Sequence, residues 1–356
     1  MRLERPFLIP LGIRPLLSLL RLILHGDMTM RVFVYNMREF DELAYFEEFT
    51  RELGLEMGYT EDSPTIDNCH LADGSDFISI ITTPITAEMI DRFMEGGVRM
   101  ISTRTIGFDH IDLKHAEEKR MVVTHVTYDP EGVAEYNVMM ILAAIRNLRY
   151  IGIRNERNDF TLEGLIGRKL SDLTVGVIGA GRIGRSVMRD LSGFGCRIVY
   201  CNRSPSPEAD RYAERMELDE LLKVSDVISP HLELNDSTRH IIGRDAFAKM
   251  KDGVYIVNTA RGPLIDTDAL IENLENGKVA GAALDVVEGE FGLYYNDCGG
   301  MDLSETYMDR LRRMDNVLIT HHMAFYYDTA VRDMVHNSLL GMRRMADNEE
   351  IPYRLV

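Results

Sequence analysis

The chain lacks several of the features that mark whole classes of protein. Its four cysteines, Cys69, Cys196, Cys201 and Cys298, form no CxxC pair and no paired framework. That excludes a disulfide scaffold and a cysteine metal site, and it suits free thiols in a reducing, cytoplasmic setting. Positive charge is scarce: 40 Lys and Arg against 57 Asp and Glu leave a net charge of -17. Nucleic acids and anionic membranes are bound through clustered cations, so neither is an expected partner, and a small anionic substrate would need a local cationic pocket. No uncharged run reaches the roughly 20 residues of a membrane span. Even the apolar leader, residues 1–27, is interrupted by Arg14 and Arg21 and broken by Pro6, Pro10 and Pro15, and no signal-type cleavage site follows it. Met28 and Met30 directly precede a strand-like run, so the leader is expected to be an untranslated or disordered extension, with an amphipathic membrane-surface helix as the alternative.

What is present is an ordinary globular balance, 45% apolar and 27% charged over 356 residues, enough for two domains with their own cores. From Met30 to about Val126, apolar runs at 32–35, 77–81, 100–102 and 122–124 alternate with helical stretches at 40–53 and 87–95. Such alternation implies parallel pairing and predicts one complete α/β domain. Asp129-Pro130 offers an N-cap followed by a first-turn proline, opening a run over 133–150 that is apolar around most of its circumference. A helix of that kind is buried on several sides, as at an interdomain or subunit interface. A second alternation begins at Leu173 and continues through 227–229, 254–258, 281–286 and 317–320, predicting a second doubly wound domain. Val331, Met334, Val335, Leu339 and Met342 then share one helical face, for which the residues before Tyr128 are the natural partner if the chain crosses back.

Between the strand-like run 173–178 and a helix-like stretch at 185–193 stand Gly179-Ala180-Gly181-Arg182-Ile183-Gly184. This is the GxGxxG string in the strand–turn–helix context that makes it a dinucleotide fingerprint, with a second strand-like run at 197–200 completing a βαβ unit. The first glycine permits the tight turn, the second lets the backbone approach a pyrophosphate, and the third lets the helix pack closely on the strand. NAD or NADP is the expected cofactor.

A nicotinamide enzyme acting on an oxo or hydroxy acid also needs a cation for the carboxylate, a proton donor at the reacting oxygen and a group that tunes the donor. Candidates stand at strand ends, where open α/β sheets bind ligands. Arg261 lies within Asn258-Thr259-Ala260-Arg261-Gly262, Asp285 and Glu290 follow the run at 281–284, and His322 follows that at 317–320. Arginine can hold a carboxylate by two charge-assisted hydrogen bonds. Histidine exchanges protons near neutrality, an effect worth about 10²–10⁴ in rate. A carboxylate beside the ring fixes its tautomer.

The assembled motifs resemble the D-2-hydroxyacid dehydrogenase family, its D-lactate dehydrogenase group, and within that the vancomycin-resistance type. The resemblance covers Met30 to about Met345. It rests on Ile101-Ser102-Thr103-Arg104-Thr105-Ile106-Gly107, on Tyr128-Asp129-Pro130 through Ala134-Glu135, on Leu173 to Gly184, and on Asn258 to Pro263. It continues through Ala282-Ala283-Leu284-Asp285-Val286-Val287-Glu288-Gly289-Glu290 and His322-Met323-Ala324-Phe325-Tyr326. It implies a Rossmann-type nucleotide domain, 128–324, inserted into a flavodoxin-like substrate domain, 28–127 with 325–356, with substrate in the cleft between them. By motif, Arg261 clamps the substrate carboxylate, His322 protonates the substrate oxygen and Glu290 supports His322. The backbone at Ile106-Gly107 receives the carboxylate, and Tyr128 and Phe325 line a pocket suited to small 2-oxo acids, pyruvate first. The nucleotide would be held by Gly179, Gly181, Arg182, Ile183, Gly184, Asn202, Arg203, His231, Thr259 and Ala260, with Asp285 near the nicotinamide.

Three departures stand out. His321 replaces the proline common before the family's histidine, while Ala324-Phe325 fixes the alignment on His322. Glu233, after His231-Leu232, replaces a proline usual near the adenine and ribose. Asn202 stands where NAD-specific members carry an aspartate, which removes its repulsion of a 2′-phosphate, and Arg203-Ser204 offers a cation and a hydroxyl. The expectation is an NAD(P)H-dependent 2-oxo-acid reductase that accepts NADPH and retains NADH, assembled as a homodimer. Two other readings stay open: a reductase for larger acids of the hydroxyisocaproate or phenyllactate type, and a non-catalytic dinucleotide sensor, since the fold also resembles transcriptional co-repressors.

Overall fold

The computed structural model describes residues 30–356, so the expectation for the leader lies outside the described residues. The chain forms two compact units. The first comprises 30–105, 111–126 and 335–356, and the second comprises 106–110 and 127–334.

In the first unit, strands β1 (Met30–Val34), β2 (Leu55–Tyr59), β3 (Phe77–Ile80), β4 (Met100–Thr103) and β5 (Val122–Thr124) pair in parallel in the order β2-β1-β3-β4-β5. This is the flavodoxin-like order. Helices α1 (Leu43–Leu53), α2 (Ala87–Glu95) and α3 (Leu113–Lys119) connect the strands. Both sheet faces are covered, which is why β3 and β4 are buried at every residue. Ile78 and Ile80 pack with Met89, Ile90 and Phe93 on one side. On the other, Val32 and Val34 pack with Phe46, Phe49, Val335, Leu339 and Met342. The C-terminal stripe thus finds its partner in the first unit, as its spacing suggested.

In the second unit, α4 (Glu131–Ile145) and α5 (Leu148–Glu156) precede β6 (Thr174–Ile178), α6 (Arg182–Ser192), β7 (Arg197–Cys201) and β8 (Glu214–Arg215). There follow α7 (Leu218–Val224), β9 (Val227–Pro230), α8 (Arg244–Lys249), β10 (Val254–Asn258), α9 (Thr267–Glu275), β11 (Val279–Leu284), α10 (Tyr307–Arg312) and β12 (Val317–Ile319). The last helix, α11 (Asp328–Ala346), begins in this unit and ends in the first. The seven strands run in parallel in the order β12-β11-β10-β9-β6-β7-β8, the dinucleotide-binding order with one strand added. Its switch point lies between β6 and β9, and the candidate residues cluster around it and along the neighbouring strand ends.

The structure differs from the sequence expectation in local ways. The apolar run 133–150 is two helices rather than one, because Asn147 adopts φ +56° and its side chain donates to the carbonyls of Leu165 and Ile166. Asp129 does supply the entry bond, accepting from the Glu131 amide at 2.9 Å, but the helix starts after Pro130. Residues 106–110 and 325–334 fall in the second unit, whereas the sequence divides the chain at 127/128 and 324/325. Asp109 is tied there by Arg261, and the Tyr327 hydroxyl donates to Asp129 O at 2.6 Å. Among the described residues, no helix is long and apolar enough to cross a membrane.

Candidate active site

The turn after β10 is built by one buried side chain. Asn258 Nδ2 donates to Arg261 O at 2.9 Å, and its Oδ1 accepts from the Ala260 amide at 3.0 Å. Gly262 follows because a Cβ there would overlap the backbone at Val287 and Glu288. The close approach brings the chain carrying Glu290 past the base of Arg261. The Arg261 guanidinium donates through Nε to Asp109 Oδ1 at 2.8 Å and through Nη1 to Ala260 O at 2.7 Å. Its Nη2 lies so close to Gly107 that no side chain could stand there. The expected carboxylate-receiving loop, Ile106-Gly107, therefore does meet Arg261. Burial pushes the Asp109 carboxyl up, but the charge and hydrogen bond of Arg261 outweigh it and hold the group below the usual carboxylate value.

The second half of the site forms after β11 and β12. Glu290 Oε2 accepts from the Val287 amide at 2.8 Å, which braces the side chain so that Oε1 lies 2.6 Å from His322 Nδ1. A carboxylate on Nδ1 fixes the ring orientation and leaves Nε2 for proton exchange. No partner for Nε2 is recorded among the described residues. His322 itself has φ +51°, held by its amide on Asp285 O at 2.7 Å and by the Tyr295 hydroxyl on its carbonyl at 2.7 Å. His321, by contrast, is exposed, and the ring recorded against it is Tyr294, 6.0 Å away. The ring of Phe325 stands 6.5 Å from that of His322, and the buried Tyr128 packs edge-on against Tyr327.

Asp285 stands at the end of β11, against the loop that carries His322. Its carboxylate is fully buried and accepts from the Thr320 hydroxyl at 2.5 Å and from the Met323 and Ala324 amides at 3.0 and 2.9 Å. Those bonds hold the start of the His322 loop to the end of β11.

At the other side of the switch point, Gly179 has φ +106°, Gly181 has open space where a Cβ would project, and a Cβ on Gly184 would overlap Gly179 O. The three glycines thus divide the tasks as their spacing implied. Gly181 opens α6 with no side chain capping it, which leaves the first amides of the helix for an anion. Open space at Gly181 and uncapped amides together fit a dinucleotide pyrophosphate. Ile183 packs into the core beneath. Arg182 reaches back to the Thr127 hydroxyl and to Tyr128 O at 3.3 Å. Asn202 Oδ1 accepts from the Ala180 amide at 3.2 Å and its Nδ2 donates to Ser204 O at 2.9 Å, so the residue ties the glycine turn to the next. Arg203 is exposed, and no side-chain partner for it is recorded among the described residues.

His231 leads out of β9 with its amide on Ile178 O at 2.7 Å, and its carbonyl fills the space a Cβ on Gly179 would need. Thr259 is buried with its hydroxyl accepting from Asn137 Nδ2 at 3.0 Å, and the Ala260 amide donates to Asn258 Oδ1 at 3.0 Å. Two site residues were not read from the sequence. Asp109 stands just past Gly107, within reach of the quoted motif, and Asn137 is a lone amide on an otherwise apolar helix face.

A family model described as the D-isomer specific 2-hydroxyacid dehydrogenase NAD binding domain matches residues 138–324. A D-specific alpha-keto acid dehydrogenase of Enterococcus faecium is 39% identical over 315 residues, covering 87% of this chain and 97% of the relative. An aromatic 2-oxoacid reductase of Clostridium sporogenes is 39% identical over 317 residues, covering 88% and 96%. Among solved structures, a D-lactate dehydrogenase of Treponema pallidum superposes with a TM-score of 0.80 at 33% identity, over 92% of this chain and 100% of the other. The chain belongs to the D-isomer specific 2-hydroxyacid dehydrogenase family.

Proposed function

We propose that this protein reduces a small 2-oxo acid, pyruvate first, to the D-2-hydroxy acid. The observation that carries the reading is the His322–Glu290 pair, with Nδ1 engaged at 2.6 Å and Nε2 without a partner among the described residues, on the same sheet edge as Arg261. Arg261 holds the substrate carboxylate through its Nη2 end beside Gly107. His322 keeps a proton at Nε2 for the oxygen of the substrate, and Glu290 holds the ring in that orientation. Asp285 and Tyr295 fix the backbone on which His322 rides. The bound reduced nicotinamide supplies the hydride. Phe325 beside His322, and Tyr128 by motif, favour small acids. A second reading, a preference for aromatic 2-oxo acids, is supported by the Clostridium sporogenes relative, which is as similar as the other.

The cofactor is NAD, with NADP accepted. Asn202 brings no carboxylate to the position that would repel a 2′-phosphate, and Arg203 is an available cation. A second copy of the chain is the expected partner. A mainly apolar hollow on the second unit, lined by Val138, Met139, Leu142, Ala143, Leu148 and Phe194 and flanked by Glu135, Arg146 and Asp190, supports a homodimer. Four free cysteines suit a reducing cytoplasm.

A panel of 2-oxo acids assayed with NADH and NADPH tests the reading. Turnover is expected to fall by about 10²–10⁴ in His322→Ala and to persist in His321→Ala. Arg203→Ala is expected to lower kcat/KM for NADPH by about tenfold while sparing NADH. No turnover on any acid would favour the non-catalytic sensor, and a monomer by light scattering would overturn the dimer.

A further inference from the structure

Among the buried side chains of α4, Asn137 is the only polar one. A buried amide adds little to stability over an apolar side chain and costs heavily if unpartnered, so its presence asks for a use. Its Nδ2 lies 3.0 Å from Ser229 Oγ and 3.0 Å from Thr259 Oγ1, one N–H for each hydroxyl. Ser229 is fully buried at the end of β9, and its Oγ also lies 3.0 Å from His231 Nε2. No partner for His231 Nδ1 is recorded among the described residues.

The donors and acceptors can be counted around this chain. Ser229 Oγ accepts from Asn137, so its single proton must go elsewhere. His231 Nε2 is nearer than Asn137 Oδ1, which stands 3.4 Å away. An Nε2 that accepts carries no hydrogen, and a neutral imidazole then carries it on Nδ1. Burial pushes His231 down to about 4, so the ring is neutral at physiological pH. The free side chain favours the opposite, Nε2–H form, so a Ser229 hydroxyl donating to Nε2 would reverse an intrinsic preference. His231 also sits against the glycine turn: its carbonyl underlies Gly179, and a Cβ on Gly184 would stand 3.5 Å from its own Cβ.

We propose that Asn137, Ser229 and His231 form a directed hydrogen-bond relay that holds His231 as the neutral Nδ1–H tautomer, making it a fixed donor to an oxygen of the dinucleotide at the glycine turn. The inference rests on the dinucleotide reading of that turn. Asn137 and Ser229 are positioning residues, acting through His231, and Thr259 anchors the far side of the same amide.

Long-range proton–nitrogen NMR correlation on the nucleotide-free protein tests the relay, with His231 assigned through His231→Gln. A pyridine-like Nε2 and a pyrrole-like Nδ1 are expected at neutral pH. Ser229→Ala withdraws the donor, so the Nε2–H form should appear and the Kd for NADH, followed by nicotinamide fluorescence, should rise about three- to tenfold. Ser229→Thr keeps the hydroxyl and should preserve both readouts. A pyrrole-like Nε2 in the unaltered protein overturns the relay, and this spectrum can be read even if a variant fails to fold. A tautomer change in Ser229→Ala with an unchanged Kd overturns the donor role. The expected tautomer in a protein that binds no NADH overturns the dinucleotide reading, and with it the donor role, while leaving the relay intact.

Discussion

Arg261 Nε donates to Asp109 Oδ1 at 2.8 Å, and this one bond sets what the guanidinium can offer a substrate. With Nε on Asp109 and one Nη1 hydrogen on Ala260 O, the Nη2 end stands beside Gly107 for an incoming carboxylate. Asp109 orients Arg261 and balances its charge without touching the reacting atoms. Asp109→Ala should therefore raise KM for the 2-oxo acid about tenfold with kcat nearly unchanged, and Asp109→Asn should fall between that variant and the parent. Steady-state kinetics separates the two parameters. KM values equal to the parent's in both variants would show that Arg261 needs no such brace.

His322 and Tyr295 both carry side chains at positive φ, +51° and +67°, a conformation that persists only when its surroundings hold it. The two are joined, since the Tyr295 hydroxyl donates to His322 O. Tyr295→Phe deletes that bond and keeps the ring that packs 6.4 Å from Phe325. A fall in kcat of about three- to tenfold is expected, with the melting temperature little changed. Tyr295→Asn eases the backbone, because asparagine tolerates left-handed φ, and yet it should be no more active, since its side chain is too short to reach the carbonyl. An asparagine variant as active as the parent would show that strain relief, and not the hydroxyl, governs the loop.

Much of this architecture was legible in the sequence, and the parts that were not share a physical cause. The buried strands announced themselves because parallel strands covered on both faces are continuous apolar runs, as at Val254–Asn258. Two of the four edge strands did not. Leu55–Tyr59 buries only Leu55, and Glu214–Arg215 is exposed throughout, so neither carries a hydrophobic signal. Arg261, Glu290 and His322 could be found because strand ends are where such sheets bind ligands. Asp109, Asn137 and the role of Asp285 could not, because each is defined by a partner far along the chain: Asp109 by Arg261, Asn137 by Ser229, and Asp285 by the amides of Met323 and Ala324.

His231 gives the stability curve a slope of known sign. Folded, burial pushes its imidazole down to about 4; unfolded, it binds a proton near 6.5. Between those values the unfolded chain holds a proton that the folded one refuses, so stability falls as pH drops through this window and is unaffected above it. His231→Gln should flatten the slope between about pH 6.5 and 4. Urea midpoints measured at several pH values check this, and a variant with the parent's slope would place the buried titration elsewhere.

The first unit hides a charge pair that decides its stability. Arg104 is fully buried, with Nε 3.1 Å from Glu42 Oε1, Nη1 on Ser79 Oγ at 3.2 Å, and Nη2 on the carbonyls of Tyr35 and Asn36 at 3.2 and 3.1 Å. Burial drives the guanidinium below its ordinary value, and the charge of Glu42 opposes that shift. Removing one partner strands the other in the core, and Glu42→Ala should cost about 3–5 kcal/mol. Arg104→Met should cost a similar amount, since it leaves the carbonyls of Tyr35 and Asn36 without that donor and Glu42 with Arg38 as its remaining cation. Combining Arg104→Met with Glu42→Ala removes both charges and should cost less than the sum of the two single losses, which is the coupling between the sites. Hydrogen exchange at the amides of Met30–Val34 and Phe77–Ile80 reads the first unit directly. Strictly additive losses in the double variant would mean that Arg104 stabilises the fold through the Tyr35 and Asn36 carbonyls rather than through Glu42.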